Sequence, residues 1–177
     1  LTGVRYLCSK YNVLFIADEV QTGLGRTGKM LATDYENARP DILILGKALS
    51  GGVIPASAVL ADNEIMLCIK SGEHGSTFGG NPLAMAAGIE TLDMLSAYSY
   101  QLLESLGSTL ESAVNKVLEK HNFPMRIVRL GSLFWFSPGD GKPPNRADQI
   151  PSNAGVMFAK IHQGLLERDC DRMIRND

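Results

Sequence analysis

Cysteine is scarce in this 177-residue chain. Cys8, Cys68 and Cys170 are odd in number and far apart, and no Cys-x-x-Cys or Cys/His spacing occurs. That excludes a disulfide framework and a zinc or redox pair, and points to thiols in a reducing compartment, cytoplasm or mitochondrial matrix, rather than to secretion. The three histidines are scattered as well, so no metal is expected. A surplus of one charge is also missing: the formal net charge is -2, 20% of residues are charged, and lysine and arginine form no cluster. A nucleic-acid groove is therefore excluded. No apolar run approaches the ~20 residues of a membrane span, so no membrane partner is expected. The amino terminus, Leu1-Thr-Gly-Val-Arg-Tyr-Leu-Cys8, has neither a charged-then-apolar signal pattern nor a starting methionine, and reads as cut from something longer. No repeat or low-complexity tract is present.

What remains is an ordinary globular composition, 45% hydrophobic, enough for one domain or one domain and part of another. Val4, Leu7 and Cys8 share a helical face that closes at Tyr11-Asn12. The apolar run 13–17 then reads as a buried strand of a parallel sheet, delivering Asp18, Glu19 and Gln21 at the carboxyl end, where open α/β sheets bind ligands. A glycine-rich loop and a short amphipathic piece at 30–35 lead to Asn37-Ala-Arg-Pro40 and a second strand at 42–45. Gly46-Lys47-Ala-Leu-Ser-Gly-Gly52 leaves it in a turn. A third strand is predicted at 56–60, and Asp62 or Asn63 is expected to cap a helix carrying Ile65, Met66 and Ile69. Asn81-Pro82 signals the start of an alanine-rich helix, and a second long helix covers 100–120. Strands at 126–130 and 132–137 flank Gly131, and a proline-bearing loop precedes a last helix at 156–168. Helix and strand in alternation make the class α/β.

Gly23-x-Gly25-x-x-Gly28 has the spacing of a dinucleotide fingerprint. Its context is wrong, because a polar insert separates strand from glycines and Pro40 follows too soon for a crossover helix. Gly46-Lys47 lacks the Ser or Thr and the upstream glycine of a phosphate loop. Lys47 instead follows a buried strand and precedes Ala-Leu-Ser-Gly-Gly, which aims its amine into a cleft. A partly desolvated amine is a nucleophile towards carbonyls, and Schiff-base chemistry with pyridoxal 5'-phosphate (PLP) is its natural use. That cofactor also needs an acid at its ring nitrogen, a place for Asp18. It needs donors for its phosphate too, of the kind that Gly75-Ser-Thr-Phe-Gly-Gly80 presents before a helix.

Leu14-Phe-Ile-Ala-Asp-Glu-Val-Gln-Thr-Gly-Leu-Gly-Arg-Thr-Gly28, Pro40-Asp-Ile-Leu-Ile-Leu-Gly-Lys-Ala-Leu-Ser-Gly-Gly52 and Gly72-Glu-His-Gly-Ser-Thr-Phe-Gly-Gly-Asn-Pro-Leu83 together resemble the class III (ω-)aminotransferases. Residues 1–95 are most similar to the ornithine aminotransferases of that family. Gly131-Ser-Leu-Phe-Trp-Phe136 and Lys142-Pro-Pro-Asn-Arg-Ala-Asp148 look more like the small domain of glutamate-1-semialdehyde aminomutases. The resemblance implies PLP-dependent transferase fold type I, a partial three-layer αβα large domain over 1–97 and part of an α+β small domain over 98–177. It implies Lys47 as the lysine that carries the cofactor and moves the substrate proton, and Asp18 as the acid at the pyridine nitrogen. Gln21 becomes the amide near the phenolic oxygen, and Ser76 and Thr77 become phosphate contacts reaching the neighbouring subunit of a homodimer. The implied reaction moves an amino group from an ornithine-like ω-amino substrate to a 2-oxo acid. The alternatives are an aminomutase or another class III activity, or a fragment that no longer catalyses. Beyond Arg168 the family pattern gives way to the polar end 169–177, and the family's amino-terminal phosphate loop and carboxylate clamp are not among these residues.

Overall fold

The computed structural model describes residues 1–97, 100–139 and 143–167, with side chains at 96 and 97 left out. Lys142, Arg168, Cys170 and the segment 169–177 lie outside the described residues. The chain divides into two compact units, Leu1–Gly107 with Leu130–Leu133, and Ser108–Arg129 with Phe134–Asp177.

In the first unit a helix, α1 (Thr2–Tyr11), ends on Asn12 in the left-handed conformation. The sheet has strand order β1 (Ile16–Asp18), β2 (Ile42–Leu45), β3 (Ala58–Ala61), with β1 parallel and β3 antiparallel to β2. β1 is later and shorter than its apolar run suggests. The Val13 N–H goes to Cys8 O at the helix end (2.9 Å), and the Phe15 N–H goes to the Asp41 carboxylate (2.7 Å) rather than to a strand. Nor is the strand buried on both faces. Phe15 and Ala17 pack with Ala38, Cys8 and Leu43, while Val13, Leu14 and Ile16 are exposed. Successive side chains of a strand point to opposite faces, and α1 and Ala38 cover one of them.

Asp62 does not cap a long helix. Its carboxylate pairs with Arg39 (3.0 Å) and α2 (Asn63–Met66) is a single turn. At α3 (Pro82–Ala97) the signal holds: Asn81 Oδ1 accepts the Leu83 N–H at 2.8 Å and the Ala84 N–H at 3.4 Å, with proline at the first helical position. This helix packs on the turn after β2, where Leu49 joins Leu24 and Leu45 in a core that Leu95 and Met30 border.

The second unit holds most of α4 (Tyr100–Lys120), all but the turn-side ends of the paired strands β4 (Met125–Leu130) and β5 (Leu133–Pro138), and α5 (Ala154–Glu167). Asn115 binds α4 to β4 twice over, accepting the Ile127 N–H (2.8 Å) and donating to Ile127 O (3.1 Å). The Arg129–Glu111 pair (3.0 Å) adds a charged tie, and Met125 and Ile127 are buried beneath. The expected strands around Gly131 are both present.

Candidate active site at the carboxyl edge of the parallel strands

The register Ile16↔Ile42, Ala17↔Leu43, Asp18↔Ile44 brings the carboxyl ends of β1 and β2 out on the same edge of the sheet. Pairing continues one residue further, since the Glu19 N–H donates to Ile44 O at 2.9 Å. The turns that leave the two strands therefore meet at that edge.

After β1 the chain turns at once. Asp18 is exposed, and its Oδ1 accepts the Val20 N–H at 3.0 Å, which orients the carboxylate. The Gly23 N–H returns to Glu19 O at 2.9 Å. A Cβ on Gly23 would lie 2.9 Å from that carbonyl oxygen and 3.3 Å from a Leu45 methyl, so only glycine closes this turn. Gln21 stands on its outer side. After β2, Lys47 opens a 3₁₀ turn (Lys47–Ser50) in the left-handed region, at φ 46°, an uncommon conformation for a residue with a side chain. Its Nζ donates to Gln21 Oε1 at 2.9 Å. Asp18, Gln21 and Lys47 are thus brought to one edge.

The lysine is not enclosed in a cleft as its surroundings in the sequence suggested. Leu49 and Ser50 turn into the core and Ser50 Oγ bonds Ile54 O, which leaves the Lys47 side chain exposed. Ser76 and Thr77 sit in the exposed loop 71–80, where Ser76 Oγ accepts the Gly79 N–H at 2.9 Å. Neither is hydrogen-bonded to Asp18, Gln21 or Lys47. Ser76 instead lines a cavity of about 350 Å³ with Ser57, Phe78 and Met85 at the start of α3.

The glycine-rich loop opens no helix, as the failed dinucleotide context predicts. The Leu24 N–H donates to Met30 O (2.6 Å), the Gly28 N–H to Gly25 O (2.9 Å) and Tyr35 Oη to Thr27 O (2.6 Å), folding the loop on itself. Among the described residues, no group of three or more His, Cys, Asp or Glu could hold a metal ion.

Sequence reasoning gave Glu19 no part. It is buried at 3% exposure, between exposed Asp18 and half-exposed Val20. Its Oε1 accepts the Thr33 N–H at 2.8 Å and its Oε2 accepts the Thr22 hydroxyl. The signal was available: carried one residue past β1, strand alternation puts Glu19 on the inward face with Phe15 and Ala17.

A family profile described as Aminotransferase class-III matches residues 1–170. The chain belongs to the class-III aminotransferases. It is 58% identical over 139 residues to the mitochondrial ornithine aminotransferase of Arabidopsis thaliana, covering 76% of this chain and 28% of that protein. It is 66% identical over 95 residues to the enzyme of the same name from Rattus norvegicus, covering 54% of this chain and 22% of that one. Among solved structures, Plasmodium falciparum ornithine δ-aminotransferase superposes with a TM-score of 0.70 at 47% identity, covering 78% of this chain and 36% of that chain. The acetylornithine aminotransferase of Elizabethkingia anophelis gives 0.71 at 48% identity, covering 83% and 36%. The chain thus spans less than a third of the length of these two sequence relatives. Its three-stranded piece of sheet and flanking helices are a part of PLP-dependent fold type I.

Class-III aminotransferases depend on pyridoxal phosphate. The groups at the edge suit that cofactor in kind: an amine for the carbonyl, a carboxylate to accept from the pyridinium and an amide for the phenolic oxygen.

Proposed function

We propose that this chain forms part of an aminotransferase that moves an amino group from an ornithine-like ω-amino donor to a 2-oxo acid, with Lys47 holding the cofactor. The Lys47–Gln21 hydrogen bond at the edge where Asp18 also emerges carries this reading. The ornithine aminotransferase names of the relatives support the donor class.

The cofactor, when bound, supplies a carbonyl that amines can join and a ring that takes up the electrons released at the substrate carbon. The chain's own residues do the rest. Asp18 would hold the pyridine nitrogen, its negative charge favouring a proton there. Gln21 orients the Lys47 amine through its Oε1, and its amide would be at hand for the phenolic oxygen of a bound cofactor. Lys47 Nζ, once free, would be the group placed to take a proton from the substrate as a general base and to give it back as an acid. The reading includes a homodimer, in which the Ser76 and Thr77 hydroxyls donate to the phosphate held by the neighbouring subunit. That geometry accounts for their exposure and their lack of bonds to Lys47. It extends to a division of the chain at residues 97/98 into large-domain and small-domain parts, and to a place in the mitochondrial matrix, which the relatives' names support.

Adding pyridoxal phosphate to the purified chain and reducing with borohydride will fix a pyridoxyl group on Lys47, seen as a mass shift of its peptide, and Lys47→Ala will abolish it. Equal labelling of the other lysines with Lys47 unmarked would overturn the assignment. Labelling without turnover of ornithine would favour a cofactor-binding fragment over an enzyme.

A further inference from the structure

Among the described residues Glu19 is the only buried acid, and nothing assigned to the site uses it. We infer that Glu19 is the positioning residue of the site: it locks the turn that carries Asp18 and Gln21, and so sets where the Gln21 amide meets Lys47. The inference rests on the reading of that edge as the cofactor site.

Four hydrogen bonds converge on this one residue. Its N–H donates to Ile44 O, fixing the turn to the end of β2. Its carbonyl accepts the Gly23 N–H, closing residues 19–23 into one loop with Gln21 at the outside. Its carboxylate accepts from Thr22 Oγ1 inside that loop and from the Thr33 N–H, fourteen residues on and itself buried. The turn is thereby tied to β2, to itself and to the 3₁₀ turn Ala32–Tyr35 that follows the glycine-rich loop. Asp18 and Gln21, by contrast, are exposed, and each makes a single side-chain hydrogen bond, to the Val20 N–H and to Lys47. Their placement has to come from the backbone, and Glu19 is what holds that backbone.

The chemistry explains why the residue is an acid. Both partners present donors, and a carboxylate offers an acceptor to each. Removing it leaves a buried Thr33 N–H without a partner, the costly side of the hydrogen-bond balance. Glutamine keeps the shape: its oxygen faces the Thr33 N–H and its NH₂ donates to Thr22 Oγ, which can turn its own proton away. Alanine does neither.

The test reads position without relying on turnover. In isotope-labelled protein, the Gln21 side-chain amide resonance, assigned by its loss in Gln21→Ala, will shift on Lys47→Met because its amine partner is gone. Glu19→Gln will keep this Lys47-dependent shift and Glu19→Ala will lose it. Pyridoxal phosphate affinity, from the absorbance of the lysine-bound cofactor, will fall about tenfold or more in Glu19→Ala and be restored in Glu19→Gln to within about threefold, the scale of one charge-assisted hydrogen bond. Should Glu19→Ala fail to fold, Thr22→Val removes one of the two carboxylate partners, and it will weaken the shift and the affinity in part. A Glu19→Ala or Thr22→Val protein with unchanged Gln21 resonance and unchanged affinity would overturn the inference. If wild-type protein shows the Lys47-dependent shift but binds no cofactor, the reading of the edge fails while the role of Glu19 in the turn still stands or falls by the resonance.

Discussion

Lys47 combines a left-handed backbone with an exposed side chain and a single side-chain partner, Gln21. Residues kept in sparsely populated backbone regions cost about 1–3 kcal/mol and persist where something over-determines them. Here the core contacts of Leu49 and the left-handed Gly51 on the far side of the turn do so. The amine is therefore placed by its turn and not by its own packing. Replacing it with arginine keeps the charge and a donor for Gln21, so we expect urea unfolding within about 0.5 kcal/mol of wild type, as for an exposed site. The same variant will lose the long-wavelength absorbance of bound pyridoxal phosphate, because a guanidinium forms no such bond with a carbonyl. Asp18→Asn keeps the hydrogen bond to the Val20 N–H and removes the charge. Cofactor binding is expected to weaken and its ring nitrogen to lose its proton at neutral pH, read as a blue-shifted spectrum.

Elements here are joined by single side chains at their ends. Asp41 ties α1, β1 and β2 together, accepting the Phe15 N–H and the Arg5 guanidinium, both at 2.7 Å. The Phe15 N–H first, and then Arg5, hold its carboxyl below the usual aspartate range. A folded-state value below the unfolded one gives stability that is present above the unfolded value, ~4, and is lost as pH falls through the folded one. Stability should thus decline below about pH 4, and Asp41→Asn should flatten that part of the urea-midpoint profile. At α3, Asn81→Ala removes the cap on Leu83 and Ala84, and an unfolding free energy lower by ~1 kcal/mol is expected. Gly131, at φ 59°, turns β4 into β5 where a Cβ would overlap the backbone of Arg26, Thr27 and Gly28. Gly131→Ala should cost more than the cap, at least ~2 kcal/mol, since conformation and space both oppose it.

At the scale of the molecule, large apolar side chains remain uncovered on α3 and the segments before it. Val53, Phe78 and Leu83 are 82%, 81% and 72% exposed. Large exposed apolar side chains, where they cluster, mark surfaces that associate. The proposed homodimer, with loop 71–80 reaching a neighbour, would cover some of them. Sedimentation at increasing concentration is expected to give about twice the monomer mass, and Phe78→Asp to shift the balance towards monomer. A monomer at all concentrations would count against the dimer. No helix among the described residues is long and apolar enough to cross a membrane. Because two compact units share one chain, heat unfolding need not be a single transition.

Motif order, local caps and glycine turns depend on neighbours in the chain, and these were legible in the amino acids alone. The family, the Asn81-Pro82 helix start, the strands either side of Gly131 and the residues Asp18, Gln21 and Lys47 all came from local pattern. Three features depended on partners far along the chain. β1 is short because Asp41, twenty-six residues from Phe15, takes its N–H. Asp62 makes no side-chain cap on its helix, and its carboxylate pairs with Arg39 instead. Glu19 keeps its carboxylate satisfied inside because the Thr33 N–H, fourteen residues on, is brought to it. Chain chemistry alone named the groups proposed to meet the cofactor. Tertiary structure alone decided which acid faces solvent and which is held inside, since burial and hydrogen bonding are set by whatever the fold brings opposite.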